Sequence, residues 1–388
     1  MNERIYLDTA ATTPVRPEVV EAMLPYFSDV AHNPSSVHAE GRRARAALDD
    51  ARERVARCIG ARAKEIVFTA GGSEADNLAL IGAVRALPGR QRVVSTAIEH
   101  HAVLHALDAL RDEGHDVALA RCDDRGVTDL AHLEELLQTP CAVVSAMYVN
   151  NELGTVQPVA RIASAARAAG AIVHTDAVQA AAYLPVDVGA LGIDLLSLAA
   201  HKFYGPKGTG VLYVREGTPL VPMLYGGSQE HARRAGTENV AGIAGFAVAL
   251  ELAMDERTQT AARVGALRDA FERGIRARID GVAVNGERAP RAPHISNLSF
   301  LDVDSEELLA RLDLEGIAVS AGSACASGAI EPSHVIAALG VSPEWTRGVV
   351  RVSFGRSTTQ AQTERAVEVL AAAVADLRSV HGVHAAFK

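Results

Sequence analysis

The sequence predicts an α/β protein, with a large, mainly parallel sheet carrying helices on both faces and joined to a smaller α+β domain. Three observations predict it. Between Glu65 and Val214, short apolar runs alternate with helical patterns, as βαβ units require. The strand candidates end in polar residues that can do chemistry: Gly72 and Ser73, His100, Asn151, Asp176 and Lys202. Past Val240 an Ala/Leu/Val-rich helical stretch runs to about Ala277 and leads into a mixed strand-and-helix segment.

Composition narrows the function classes. Charged residues are 22% and apolar residues 48% of 388 positions, a globular balance with room for one large core and one smaller one. The net charge of −9 is spread along the chain without a basic block, so no nucleic-acid partner is expected. No apolar run reaches the roughly 18 residues of a membrane span, and Met1 to Asp8 lacks a signal-peptide core. Cys58, Cys122, Cys141 and Cys325 lack CxxC spacing, which argues against a disulfide framework or a metal site and for a cytoplasmic home. Cys58 and Cys141 read as core residues, whereas Cys122 sits in a polar turn with no obvious partner.

Taken in order, residues 1–14 form a short strand running into the small-residue turn before Pro14. Pro17 to Tyr26 reads as a helix, and His38 to Ile59 as a longer one with Ala44, Ala47, Leu48, Ala51, Val55 and Ile59 on one face. Ile66 to Thr69 is a strand that meets Gly71-Gly72, and Ser73 opens a helix through Ala83. That junction offers free N–H groups and a helix dipole to a phosphate, although Ser73 reads equally as an N-cap. Arg92 to Ser95 and Ala142 to Val149 are strands ending at His100 and Asn151; Ala171 to Thr175 ends at Asp176, with Gln179 three residues on. Ligands of open α/β sheets sit beyond such carboxyl ends.

The most informative stretch is Asp194 to Val214, where the apolar run Leu195 to Ala200 ends in His201-Lys202 before Gly205-Pro206 and Gly208. A lysine at the edge of a core either snorkels to water or, desolvated, becomes the unprotonated amine that imine chemistry needs. Beyond residue 260, strands at Val282 to Val284, Ile295 to Phe300 and Val349 to Ser353 mix with helices at Ser305 to Leu312 and Thr359 to Leu377. Lysine, a strand-end aspartate, a nearby histidine and a phosphate cradle together match the needs of pyridoxal phosphate, whose ring nitrogen requires a carboxylate partner.

Nine segments then carry a resemblance. They are Tyr6-Leu-Asp-Thr-Ala-Ala-Thr-Thr-Pro14, Asn33-Pro-Ser-Ser-Val-His38, Gly71-Gly-Ser-Glu74, Glu99-His100, Asn150-Asn-Glu152, Asp176-Ala-Val-Gln179, His201-Lys-Phe-Tyr-Gly-Pro-Lys-Gly208, Arg234-Ala-Gly-Thr-Glu-Asn-Val240 and Ser320-Ala-Gly-Ser-Ala-Cys325. In this order the chain resembles the cysteine desulfurases of the NifS/IscS type, within the fold-type-I pyridoxal-phosphate transferases. The resemblance implies a large domain over 15–260, and a small one from 1–14 and 261–388 that carries the cysteine loop. It implies Lys202 as the imine lysine, Asp176 on the ring nitrogen, Gln179 and Asn151 near the phenolic oxygen, and His100 stacked on the ring and moving protons. Gly72, Ser73 and His201 bind the phosphate, and Thr237 reaches the cofactor of a neighbouring subunit, hence a homodimer. Arg351 pairs with the substrate carboxylate. Ala199 departs from the family, which often has a phosphate-binding Ser or Thr there; Ser197 or a water is a possible replacement.

Cys325 decides the reaction. It lies in a run of Gly, Ser and Ala suited to a mobile loop, and a lone thiol there is either incidental or a nucleophile that travels. Beside the other motifs the second reading wins. The expected activity converts L-cysteine to L-alanine and leaves a persulfide on Cys325, with His100 helping to form the thiolate. Expected partners are L-cysteine and sulfur-acceptor proteins such as an iron–sulfur scaffold.

Overall fold

The computed structural model describes residues 4–89, 91–321 and 333–386, and its framework is twelve strands. They are β1 (Ile5–Tyr6), β2 (Ile66–Thr69), β3 (Arg92–Thr96), β4 (Asp116–Ala120), β5 (Cys141–Ser145), β6 (Ile172–Asp176), β7 (Leu195–Ala199), β8 (Gly210–Val214), β9 (Val282–Val284), β10 (Ile295–Phe300), β11 (Ile317–Ala318) and β12 (Val349–Ser353). Strands β2 to β8 make one seven-stranded sheet in the order β2-β8-β7-β6-β5-β3-β4. Every pair from β7 to β4 is parallel, and β8 runs antiparallel to both β7 and β2.

The apolar runs are continuous because the sheet is buried on both sides. Neighbouring residues point to opposite faces. Val93, Val143 and Leu195 pack against the Gly72–Arg85 and His101–Asp112 helices. Val94, Val144 and Leu196 pack on the other side with Ile162 and Phe246, which come from the Val159–Ala168 and Val240–Arg276 helices. The same two-residue period puts Ser145, His174, Asp176, Ser197 and Ala199 on the face of the Gly72–Arg85 helix.

The Val240–Arg276 helix packs on the Ala39–Cys58 helix and also on the Gln360–Ala386 helix, so it spans the large sheet and the elements that follow it. Those elements are an antiparallel sheet, β12-β10-β9, and a parallel β1/β11 pair that returns the N-terminus to the C-terminal part of the chain. A β-bridge between Asp8 and Ser353 continues that contact. Among the described residues, no helix is long and apolar enough to cross a membrane.

Three local expectations change. Ala142 to Val149 is a ladder strand only as far as Ser145; beyond it Tyr148 bonds the Asp176 carbonyl through its amide and Gln157 through its own carbonyl. β4 and the Leu130–Leu136 helix were not expected, because β4 is a half-buried edge strand whose short pattern lacks a clear period. Cys122 does have a partner: its thiol meets the Ala338 carbonyl at 3.5 Å and packs against the Ile98, Leu153 and Val335 cluster.

Candidate active site

Gly72, Ser73, His100, Asn151, Asp176, Gln179, His201 and Lys202 line one cavity of about 230 Å³ at the carboxyl ends of β2, β3, β5, β6 and β7. Asp76, Met147, Val149, Val178 and Ala199 complete its wall. Thr237 is on an exposed loop outside this wall, and Arg351 stands behind Asn151. Cys325 lies outside the described residues, as does most of its loop.

One end of the cavity is a cradle of backbone. β2 turns through Gly71 into the Gly72–Arg85 helix, whose first N–H groups have no partners within the helix. Close packing creates this turn: a Cβ on Gly210 would lie 2.5 Å from the Gly71 carbonyl carbon, and one on Gly72 would lie 3.0 Å from Val178. The cradle continues into an open depression lined by Thr12, His201, Lys207 and Gly208. The His201 ring is held by the Thr12 hydroxyl at 3.2 Å, and burial together with Lys202 and Lys207 lowers its pKa to about 4, so it is neutral.

The other end is a buried floor of acids. Asp176 accepts the Val178 amide at 2.8 Å, and burial pushes its pKa up to about 6. Asp76, one helical turn beyond Ser73, is fully buried, and both burial and the Asp176 charge raise its carboxyl well above the usual range. One Asp76 oxygen has no hydrogen-bond partner and lies 3.6 Å from His174 Nε2. His174 joins Ser145 at 2.8 Å and Ser197 at 3.0 Å across adjacent strands, and burial keeps it neutral. Ser197 is therefore occupied inside the sheet and does not replace the hydroxyl that Ala199 lacks. Asp76 was missed in the sequence, although its i+3 spacing from Ser73 was the available signal.

Between the two ends, Lys202 donates to the Ala10 and Ala11 carbonyls at 2.6 and 2.9 Å. Gln179 donates to the same Ala10 carbonyl at 2.8 Å and meets His294 at 3.2 Å, so both ends of its amide are oriented. The segment Asp8 to Thr13 thus forms one wall of the catalytic neighbourhood. His100 caps its helix by accepting the Ala102 amide on Nδ1, which leaves the proton on Nε2. Burial first, then Lys202 and neighbouring histidines, lower its pKa to about 4. At neutral pH the ring is neutral and its Nε2 is a hydrogen-bond donor. Arg351 donates to the Asn151 carbonyl at 2.9 Å and to Asp8 at 2.8 Å.

An acid floor, a lysine amine and an anion cradle around one cavity fit a flat, cationic heterocycle bearing a phosphate and a carbonyl. The class-V aminotransferase family model matches residues 5–366. The chain is 44% identical to the cysteine desulfurase IscS of Dictyoglomus turgidum, covering 98% of this chain and 97% of that one. It is also 44% identical to the cysteine desulfurase NifS of Azotobacter vinelandii, over 97% and 94% of the two chains. Among solved structures, a NifS-like protein superposes with a TM-score of 0.90 at 32% identity, over 96% of this chain and 99% of that one. SspA in complex with cysteine superposes at 0.80 with 36% identity, over 90% and 98%. The chain belongs to the class-V aminotransferase family, among its cysteine desulfurases.

Proposed function

We propose that this protein is a pyridoxal-phosphate-dependent cysteine desulfurase that takes sulfur from L-cysteine, releases L-alanine and holds the sulfur as a persulfide on Cys325. The observation that carries the reading is the convergence of Lys202, Asp176 and the Gly72–Ser73 helix start on one cavity. Bound there, pyridoxal phosphate supplies a sink for the electron pair released at the substrate's Cα.

The chain's residues have separable tasks. Gly72, Ser73 and His201 hold the phosphate, and Thr237 of a neighbouring subunit reaches it. Asp176 would keep a proton on the ring nitrogen, while Asn151 and Gln179 would hold the phenolic oxygen. With the cofactor bound, His100 would face it from the cavity wall and could donate to it through Nε2. Lys202 accepts the Cα proton and later returns one. Arg351 orients the carboxylate, a task suited to a planar guanidinium. Cys325 attacks the substrate sulfur as a thiolate: its S–S bond forms as the C–S bond breaks. The sulfur is oxidised and the carbon reduced to a methyl group, so L-cysteine and a thiol yield L-alanine and a persulfide without an external reductant.

Further parts of the reading concern organisation. Residues 15–260 form the cofactor-binding domain, and residues 1–14 with 261–388 form the smaller one. A homodimer is supported by Thr237 on its exposed loop and by large apolar side chains left in solvent, Val37 at 89% and Tyr225 at 79% exposure. The protein works in the cytoplasm and passes sulfur to acceptors such as an iron–sulfur scaffold.

Alanine release from L-cysteine, measured beside Cys325→Ala, tests the proposal. Release by the parent and almost none by the variant is expected. Equal release by both removes Cys325 as acceptor, and no alanine from either protein favours a transaminase.

A further inference from the structure

Among the described residues Arg351 is the largest fully buried side chain, with only 2% of its surface exposed. A guanidinium so far from water needs a compensating charge. Asp8 supplies one: its carboxylate accepts from Nη2 at 2.8 Å. Glu152, also near Arg351, is a poorer source, because burial raises its carboxyl and its oxygen already accepts the Ser333 hydroxyl at 2.6 Å.

Asp8 is held in place by backbone. It bridges to Ser353, two residues from Arg351 on β12, and Ser353 donates to the preceding Leu7 carbonyl at 2.7 Å. The Asp8 carbonyl accepts the Ala11 amide at 3.0 Å and the Tyr6 hydroxyl at 3.0 Å. The backbone at Asp8 is therefore anchored beside β12, within reach of the Arg351 guanidinium. The Asp8 side chain keeps 19% exposure, so water can solvate it when the guanidinium turns to another carboxylate.

We infer that Asp8 is a resident counter-ion of Arg351 that competes with the carboxylate of the amino acid, limiting affinity for L-cysteine and speeding the loss of L-alanine. This rests on the reading of Arg351 as the carboxylate anchor. A neutral side chain at position 8 leaves the buried guanidinium short of one negative charge, which any α-amino acid then provides. Substrate and product gain alike, because both carry the same carboxylate. Asp8 thus sets the affinity for the amino-acid carboxylate by acting through Arg351.

The test measures, with the cofactor-loaded enzyme, the L-cysteine KM, the inhibition constant of L-alanine and that of cysteamine, which has the amine and thiol but no carboxylate. Asp8→Asn should tighten L-alanine about tenfold and lower KM by a similar factor, as expected for removing one close competing charge. Cysteamine should be unchanged, and Asp8→Glu should restore the parent constants. Should Asp8→Asn not fold, Asp8→Ser carries the same expectation. Unchanged or weaker L-alanine binding in the neutral variants overturns the proposal, as does equal tightening of cysteamine. Arg351→Lys separates the two layers. If it weakens L-alanine while Asp8→Asn does nothing, only the counter-ion role falls. If it leaves L-alanine unchanged, the anchor reading falls and the proposal with it.

Discussion

The cradle and the floor of the cavity handle charge by opposite means. The cradle uses backbone: Gly71 and Gly72 expose N–H groups at a helix start, and its histidine is neutral. The floor uses burial: Asp176 and Asp76 are kept from water, so each binds its proton more tightly than an ordinary carboxyl. A cradle of dipoles needs shape and is insensitive to pH. A floor of buried acids needs a low dielectric and is defined by which group holds the proton.

The largest break should come at the floor. Asp176→Asn keeps the shape but cannot carry the charge that faces the ring nitrogen, so alanine release should fall roughly 10³-fold while the cofactor stays bound. Rate and cofactor absorbance measured together would check this, and a loss below tenfold would remove Asp176 from its role.

At the cradle, Gly210→Ala drives a Cβ to 2.5 Å from the Gly71 backbone. Cofactor affinity should drop on the order of 100-fold, with about 1–3 kcal/mol of stability lost to overpacking. Equilibrium binding across pH would show the same loss at every pH, whereas a pH-dependent loss would contradict the contrast between the two ends.

Stability in acid comes next. His174 and His294 are fully buried, and burial lowers both to about 3. Their folded pKa values lie below the unfolded value near 6.5, so the unfolded chain takes up protons first and stability falls as pH drops below that value. By pH 5 each should cost on the order of 2 kcal/mol. Denaturant unfolding at pH 7 and pH 5 measures the loss, and His294→Gln should lose about 2 kcal/mol less than the parent between the two pH values. An equal loss in the parent and in His294→Gln would show that the His294 ring accepts a proton in place.

Smaller effects sharpen the division within each end. Asp76→Asn should alter alanine release by less than about tenfold, because a carboxyl whose neutral form burial favours is closely mimicked by an amide. A loss matching that of Asp176→Asn would mean that Asp76 carries charge too. Ala199→Ser adds a hydroxyl to the wall and should improve cofactor retention about fivefold, one modest hydrogen bond. A measured affinity equal to the parent's would show that the departure at Ala199 has no consequence.

Residues that follow a strand or open a helix were legible in the sequence. Lys202, Asp176, His100, Asn151 and the Gly72–Ser73 turn each end an apolar run, and a parallel sheet aligns such ends on one rim. Asp76 and His174 were not singled out, because an acid inside a helix and a histidine inside a strand look like ordinary surface or core residues. Their meaning depends on burial, which a one-dimensional pattern does not report.

By itself the sequence determined the alternation of elements, hence the sheet, and the set of reactive side chains at its carboxyl edge. Hydrophobic period and turn chemistry are local properties, and local properties can be read along a chain. The tertiary structure decided which groups share a charge: Asp8 with Arg351, Asp76 with Asp176, and Lys202 with the Ala10 and Ala11 carbonyls. These partners are 343, 100 and about 190 positions apart. Coulomb energy and desolvation depend on distance and burial in space, so only the folded chain could pair them.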